Sequence, residues 1–163
     1  GADVYRMEGW GFLLAGGAVY DNLDYSFSVG HEDGTAEIDA PGGGGPVLRD
    51  QLRILKTFVD GLDFVHMKPD NDFMTELASV GDEAAEVTAR ALVQPGRAYA
   101  VYIKGGTQVR LALALPSGEY VAEWWNTRTG QVTSGGSLGH TGGPLYLQSP
   151  EYCGDIALVV KAK

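Results

Sequence analysis

The chain has 163 residues and a formal charge of −9, and 44% of it is hydrophobic. That size and apolar content suit one ordinary folded domain, or a small domain with an appendage, and argue against disorder. All of the excess charge lies in residues 1–80, with 14 acids against 5 bases, which argues against nucleic acid and anionic membranes, both of which are bound through Lys and Arg.

Cys153 is the only cysteine, so no intrachain disulfide can form. No apolar run approaches the ~20 residues of a membrane span. The first residues show neither an initiating Met nor a signal-peptide layout, as expected of a fragment or a processed chain.

Residues 3–15 predict a helix. Asp3 suits the N-cap, Val4, Met7, Trp10 and Leu14 form an apolar stripe, and Gly16-Gly17 can end it. Gly9 and Gly11 weaken this helix by up to ~1 kcal/mol each and suit close packing against a neighbour. Residues 18–45 form a long acidic connection. Within it Leu23, Tyr25, Phe27 and Val29 alternate, the pattern of a short strand over 23–29. Residues 46–62 carry the clearest helical stripe, Leu48, Leu52, Leu55, Val59 and Leu62, with Pro46 in the first turn. A further short helix is expected over 71–79, after Pro69.

From Ala84 the period changes to two. Strands are expected over 86–93, 98–104, 108–115, 119–126, 131–133, 144–148 and 155–161, separated by Gly- and Pro-rich turns. Short strands at this spacing predict an antiparallel sandwich or barrel. The fold class expected is therefore mainly β: a seven- or eight-stranded antiparallel β-sandwich over 81–163, preceded by two or three helices and a long acidic loop over 1–80.

Several clusters bear on chemistry. His31-Glu32-Asp33-Gly34 is the best local candidate, set against the simpler reading of a solvated acidic loop. Asp21, Asp24, Asp33 and Asp39 could offer oxygen ligands to Ca²⁺, but their spacing matches no EF-hand, so no metal is expected. The glycine run 42–45 lacks the Lys of a P-loop and reads as a linker. Adjacent Trp124 and Trp125 face opposite sides of a strand, so one could be core and the other exposed. His66, His140 and Cys153 stand alone, and no cofactor is expected.

The segments Tyr99-Ala100-Val101-Tyr102-Ile103, Leu115-Pro116-Ser117-Gly118-Glu119-Tyr120 and Trp124-Trp125-Asn126-Thr127-Arg128-Thr129-Gly130 form one pattern with Ser149-Pro150 and Asp155-Ile156-Ala157-Leu158-Val159. It resembles the collagen-binding β-sandwich module named for a collagenase, which sits at the C-terminus of apiosidase-like TIM-barrel glycoside hydrolases. Ile156 stands where that module has an aromatic. The stretch from Glu8-Gly9-Trp10 to Gly16-Gly17-Ala18 is similar to the penultimate helix of the attached (β/α)8 barrel. The resemblance implies a last barrel strand near Leu23-Asp24-Tyr25, a last barrel helix over 46–62, and a secreted or periplasmic setting.

It further implies catalytic acids on earlier strands, so none is assigned in this chain. Tyr25, His31, Glu32 and Asp33 would line the substrate site of an intact enzyme. The reading carried forward is an accessory sandwich with a barrel remnant, not catalytic by itself. Its expected partners are the rest of the barrel, a second copy through residues 1–65, or carbohydrate. The alternatives are a carbohydrate- or collagen-binding module using Tyr120, Trp124 or Trp125, and a self-sufficient hydrolase using Glu32, Asp33 and His31.

Overall fold

The period-two segments fold into two antiparallel sheets facing one another. A computed structural model of the chain describes residues 1–38 and 44–163. Two α-helices come first, α1 (Ala2–Leu14) and α2 (Gly45–Asp60), then a 3₁₀ turn (Phe64–His66). Nine strands follow: β1 (Lys68–Pro69), β2 (Met74–Ser79), β3 (Thr88–Gln94), β4 (Ala98–Lys104), β5 (Val109–Ala114), β6 (Gly118–Trp125), β7 (Val132–His140), β8 (Pro144–Gln148) and β9 (Asp155–Ala162). One sheet has the order β1-β3-β4-β9-β6-β7 and the other β2-β5-β8.

Burial explains this layering. Val101, Ile103, Tyr120, Trp124, Ile156 and Leu158 from the larger sheet meet Val109, Leu111, Leu113 and Leu147 from the smaller one in a single core. The opposite face of the larger sheet is also apolar. Leu92, Ala98, Ala100, Tyr102, Ala157 and Val159 pack beneath Trp10 and Leu14 of α1 and Ile54, Leu55 and Phe58 of α2. Central strands β4 and β9 are thus buried on both sides, which is why they read as nearly continuous apolar runs rather than clean alternations.

Several elements differ from the sequence-based expectation. Residues 74–79 are strand β2, not helix, because they pair with β5, setting Met74 against Leu113 and Leu77 against Leu111. Tertiary pairing overrides the weak local preference. With β1, this brings the strands among the described residues to nine and places two of them before residue 80. Strand β7 runs to His140 rather than stopping at 133. It carries a bulge opposite Ala122 and Glu123, and a side chain on Gly135 would come within 2.8 Å of the Ala122 Cβ, so close approach accounts for a glycine that hides the strand pattern.

In α1 the buried side is Arg6, Gly9, Trp10 and Leu14. Val4 is 64% exposed, and Asp3 lies inside the helix rather than capping it. The close packing foreseen at Gly9 is present, since a Cβ there would sit 3.1 Å from the Tyr20 ring and 3.3 Å from Leu55. The buried stripe of α2 is rotated to Leu48, Gln51, Ile54, Leu55 and Phe58. The strand expected over 23–29 forms no ladder, only an isolated bridge between Ser28 and His31.

Candidate functional site

Residues 18–38 connect the two helices along one flank, and Arg49 of α2 shapes their middle. Its guanidinium donates to Asp24 Oδ2 at 2.7 Å and Ser26 Oγ at 3.0 Å. It also donates to the carbonyls of Gly34 at 3.0 Å and Asp33 at 3.4 Å, and it lies 4.8 Å from the centre of the Phe27 ring. Burial pushes the Asp24 carboxyl up, but hydrogen bonds from Ser26 and Arg49 outweigh it and hold the group below its usual range. At the N-terminal end of the segment, Tyr20 Oη donates to the Tyr5 carbonyl at 3.1 Å. Burial, then the Glu8 carboxylate, pushes that phenol up to about 12.

These anchors give residues 19–27 a strict two-residue alternation. Tyr20, Asn22, Asp24 and Ser26 turn toward the body of the protein, while Val19, Asp21, Leu23, Tyr25 and Phe27 face out. Among the described residues, no backbone N–H of 18–25 donates to another backbone carbonyl. The stretch follows the path of a strand with its polar side packed and its apolar side largely exposed, Phe27 lying against Arg49.

Beyond it, the turn at 28–35 presents His31, Glu32 and Asp33 to solvent. The Gly30 N–H donates to Glu32 Oε1 at 3.0 Å, and Thr35 donates to Asp33 Oδ1 from its hydroxyl at 2.7 Å and its backbone N–H at 3.1 Å. His31 Nδ1 lies 3.3 Å from the Thr35 hydroxyl. These donors lower the pKa of both carboxyls: the Gly30 N–H first for Glu32, the Thr35 hydroxyl first for Asp33. The direction is opposite to that of a carboxylic acid whose environment keeps it protonated for transfer to a glycosidic oxygen. Tyr25 shares the flank but lies on the outward row. Arg49 already engages Asp24, Asp39 lies outside the described residues, and no cluster among the described residues could hold a metal ion.

Of the three aromatic residues considered for stacking on a ligand, Trp124 and Tyr120 are packed inside and Trp125 is partly buried. Trp124 and Tyr120 are each 2% exposed in the inter-sheet core, and the Tyr120 hydroxyl donates to the Pro116 carbonyl at 2.8 Å. Trp125 turns to the helix side as the alternation requires and meets Phe58 edge-on at 5.5 Å. His140 donates to the Leu115 carbonyl at 3.0 Å. His66 Nδ1 lies 2.7 Å from Asp63 on the surface, and Cys153 is exposed.

The most connected polar centre is one that sequence reasoning passed over. Arg6 of α1 and Asp155 at the start of β9 form a fully buried ion pair at 2.5 Å. The same carboxylate accepts from the Tyr102 hydroxyl at 3.2 Å and the Thr127 hydroxyl at 2.7 Å. Arg6 also donates to Gln51 of α2 at 3.3 Å and to Asp3, and Asp3 accepts from Arg128 at 3.0 Å. Burial and then the Asp155 carboxylate raise the Tyr102 phenol far above its ordinary value. Burial lowers the Arg6 guanidinium, but its hydrogen bond to Asp155 and their mutual charge leave it raised on balance. This centre ties both helices to the sandwich. The available signal was an arginine on the apolar side of α1, three residues after Asp3.

No family model matches the chain, and no curated protein matches it. Among solved structures the chain is similar to a protein described as a glycoside hydrolase, at 18% identity and a TM-score of 0.57, over 82% of this chain and 32% of the other. It is also similar to a glycoside hydrolase family 5 protein from Bacteroides vulgatus, at 16% identity and a TM-score of 0.56, over 81% of this chain and 31% of the other. The fold is thus one found in part of glycoside hydrolases, and the chain spans about a third of the length of these structures.

Proposed function

We propose that the chain is the C-terminal part of a glycoside hydrolase: the last helices of a catalytic barrel joined to an accessory β-sandwich, without activity of its own. The observation that carries this reading is residues 19–27, a strand-like path between two helices with its polar side packed on them and its apolar side largely exposed. A strand of that kind fits the edge of a larger apolar interior, and the likeness to part of glycoside hydrolases supports the same view. The chemistry agrees. Glycoside cleavage needs two carboxyls on opposite sides of the scissile bond, one of them protonated, whereas Glu32 and Asp33 are neighbours on one exposed turn with lowered pKa values. In the intact enzyme Tyr25, His31, Glu32 and Asp33 would border the sugar, and the rest of the barrel would be the partner of the outward row.

The test compares two proteins, the 163-residue chain and the polypeptide encoded by the whole reading frame, on a panel of aryl glycosides. The reading expects strand–helix units upstream, turnover by the longer polypeptide only, and a raised KM when His31 or Tyr25 is changed to Ala. Turnover by the chain alone, abolished by Glu32→Gln, would overturn it in favour of a self-sufficient hydrolase. A frame with no such units upstream would also overturn it.

A further inference from the structure

Residues 125–130, Trp-Asn-Thr-Arg-Thr-Gly, turn the chain from β6 into β7, and most of them meet the helix layer or the polar centre beneath it. Trp125 lies edge-on to Phe58 of α2. Asn126 shapes the turn: its Oδ1 accepts from the backbone N–H groups of Arg128 and Thr129, each at 3.0 Å. Thr127, 0% exposed, donates to Asp155 Oδ2, and Arg128 donates to Asp3 of α1. Gly130 has a φ of +72°, and a Cβ there would come within 3.2 Å of Ile54 of α2, so glycine serves both the turn and the close approach.

We propose that this turn and Asp155 form a docking element that selects one seating of α1 and α2 on the sandwich. The apolar contacts do not select one by themselves. Apolar burial is non-directional, and Ala98, Ala100 and Ala157 give the sheet beneath the helices little relief. A helix slid along such a floor keeps much of its burial.

The polar contacts, in contrast, are directional. Arg6 donates to both oxygens of Asp155, at 2.5 and 3.3 Å, and both side chains are 0% exposed. A displaced α1 would leave two opposite charges buried and unpaired, which is heavily penalised. Gln51 of α2 accepts from the same guanidinium at 3.3 Å, so the two helices are placed together. Replacing a buried ion pair by apolar side chains is often neutral for stability. The distinctive contribution of the pair and its turn is therefore the choice of seat. The inference concerns contacts within this chain and stands whether or not a barrel precedes it.

The tryptophans of the chain report on the seat. Trp10 and Trp125 both lie against Phe58 in the helix–sheet joint, whereas Trp124 lies in the inter-sheet core. In a nitrogen–proton correlation spectrum of the chain, each gives one indole N–H signal. Arg6→Met combined with Asp155→Leu removes both charges and keeps apolar volume. The expected result is unchanged far-ultraviolet circular dichroism and a single Trp124 signal, with the Trp10 and Trp125 signals doubled or broadened about twofold or more. Three single, sharp signals from that variant would overturn the proposal, because the apolar contacts would then suffice. Should the double variant not fold, Thr127→Val carries the test by removing the donor that the turn offers Asp155. Second signals for Trp10 and Trp125 beside a single Trp124 signal support the docking role, and three unchanged signals overturn it. Arg110→Met, which removes the exposed pair with Glu76 on the smaller sheet, is the control. Doubled Trp10 and Trp125 signals there would also overturn the proposal, since any loosening would then unseat the helices. Glycoside turnover is not read in any arm, so this inference and the glycosidase reading fail separately.

Discussion

Strand β5 and residues 19–27 alternate in the same way and resolve the alternation in opposite senses. In β5, Val109, Leu111 and Leu113 are 0% exposed in the inter-sheet core, while Arg110 faces out and pairs with Glu76 at 2.8 Å. In 19–27 the apolar set faces out and the polar set faces in, held by Arg49 and by the backbone of α1. A two-residue period dictates an extended path with two faces, but what lies beside each face decides which one is buried. Beside β5 there is a second sheet. Beside 19–27 there are two helices that offer hydrogen-bond partners, and the apolar face is left more than half exposed, with Arg49 against Phe27.

The largest expected effects fall where burial is complete. Arg6→Met removes one member of the buried pair with Asp155 and leaves a carboxylate in the helix–sheet joint with only the Tyr102 and Thr127 hydroxyls. The expected loss is about 3–5 kcal/mol by chemical denaturation. Leu111→Ala, in the core centre, should cost about 2–5 kcal/mol through lost burial and a residual cavity. A cost below about 1 kcal/mol for Leu111→Ala would break the comparison, because β5 would then be no better covered than 19–27.

Which parts were legible from the sequence follows the same division. Strands β4 and β8 were read to the residue, and β3, β5, β6 and β9 to within two, because turn signals bracket them and their apolar content is dense. β2 was missed because Met74-Thr-Glu-Leu-Ala-Ser has no marked local preference and becomes a strand only through pairing with β5. Most of β7 was missed because its glycines and serines carry no apolar rhythm. At the candidate site, the acidic turn with His31, Glu32 and Asp33 was visible as a polar cluster, and the opposite facing of Trp124 and Trp125 followed from their adjacency. Arg6–Asp155 joins residues 149 positions apart, a contact that no local pattern encodes. Arg49 likewise acts through carbonyls and through Asp24, 25 positions away.

Intermediate effects should come from Arg49, which makes the difference between the two regions by fixing which side of 19–27 turns in. Arg49→Met removes its donors to Asp24, Ser26 and two carbonyls, all at a half-exposed position, where a net cost of about 1–2 kcal/mol is expected. Faster amide exchange should be confined to residues 24–36, while β5 stays protected. Acid probes the same anchor. Asp24, Asp33 and Glu32 all have lowered pKa values in the folded state. Their contribution is present at neutral pH and is lost as pH falls below the ordinary carboxylate range near 4. The turn should therefore loosen between about pH 4 and pH 2, before the sandwich unfolds. Simultaneous loss of both regions in hydrogen exchange across that range would contradict the division.

The smallest effect sharpens the comparison most. Leu23 and Leu111 are the same residue on equivalent alternating positions, one 65% and the other 0% exposed. Leu23→Ser changes no packed contact of the single chain, so at concentrations where the chain is monomeric its stability should move by less than about 0.5 kcal/mol, the usual range for surface substitutions. Denaturation at low micromolar concentration reads this directly. A loss above about 1.5 kcal/mol there would mean that Leu23 is buried within one copy of the chain, and the outward row would then not be a surface at all.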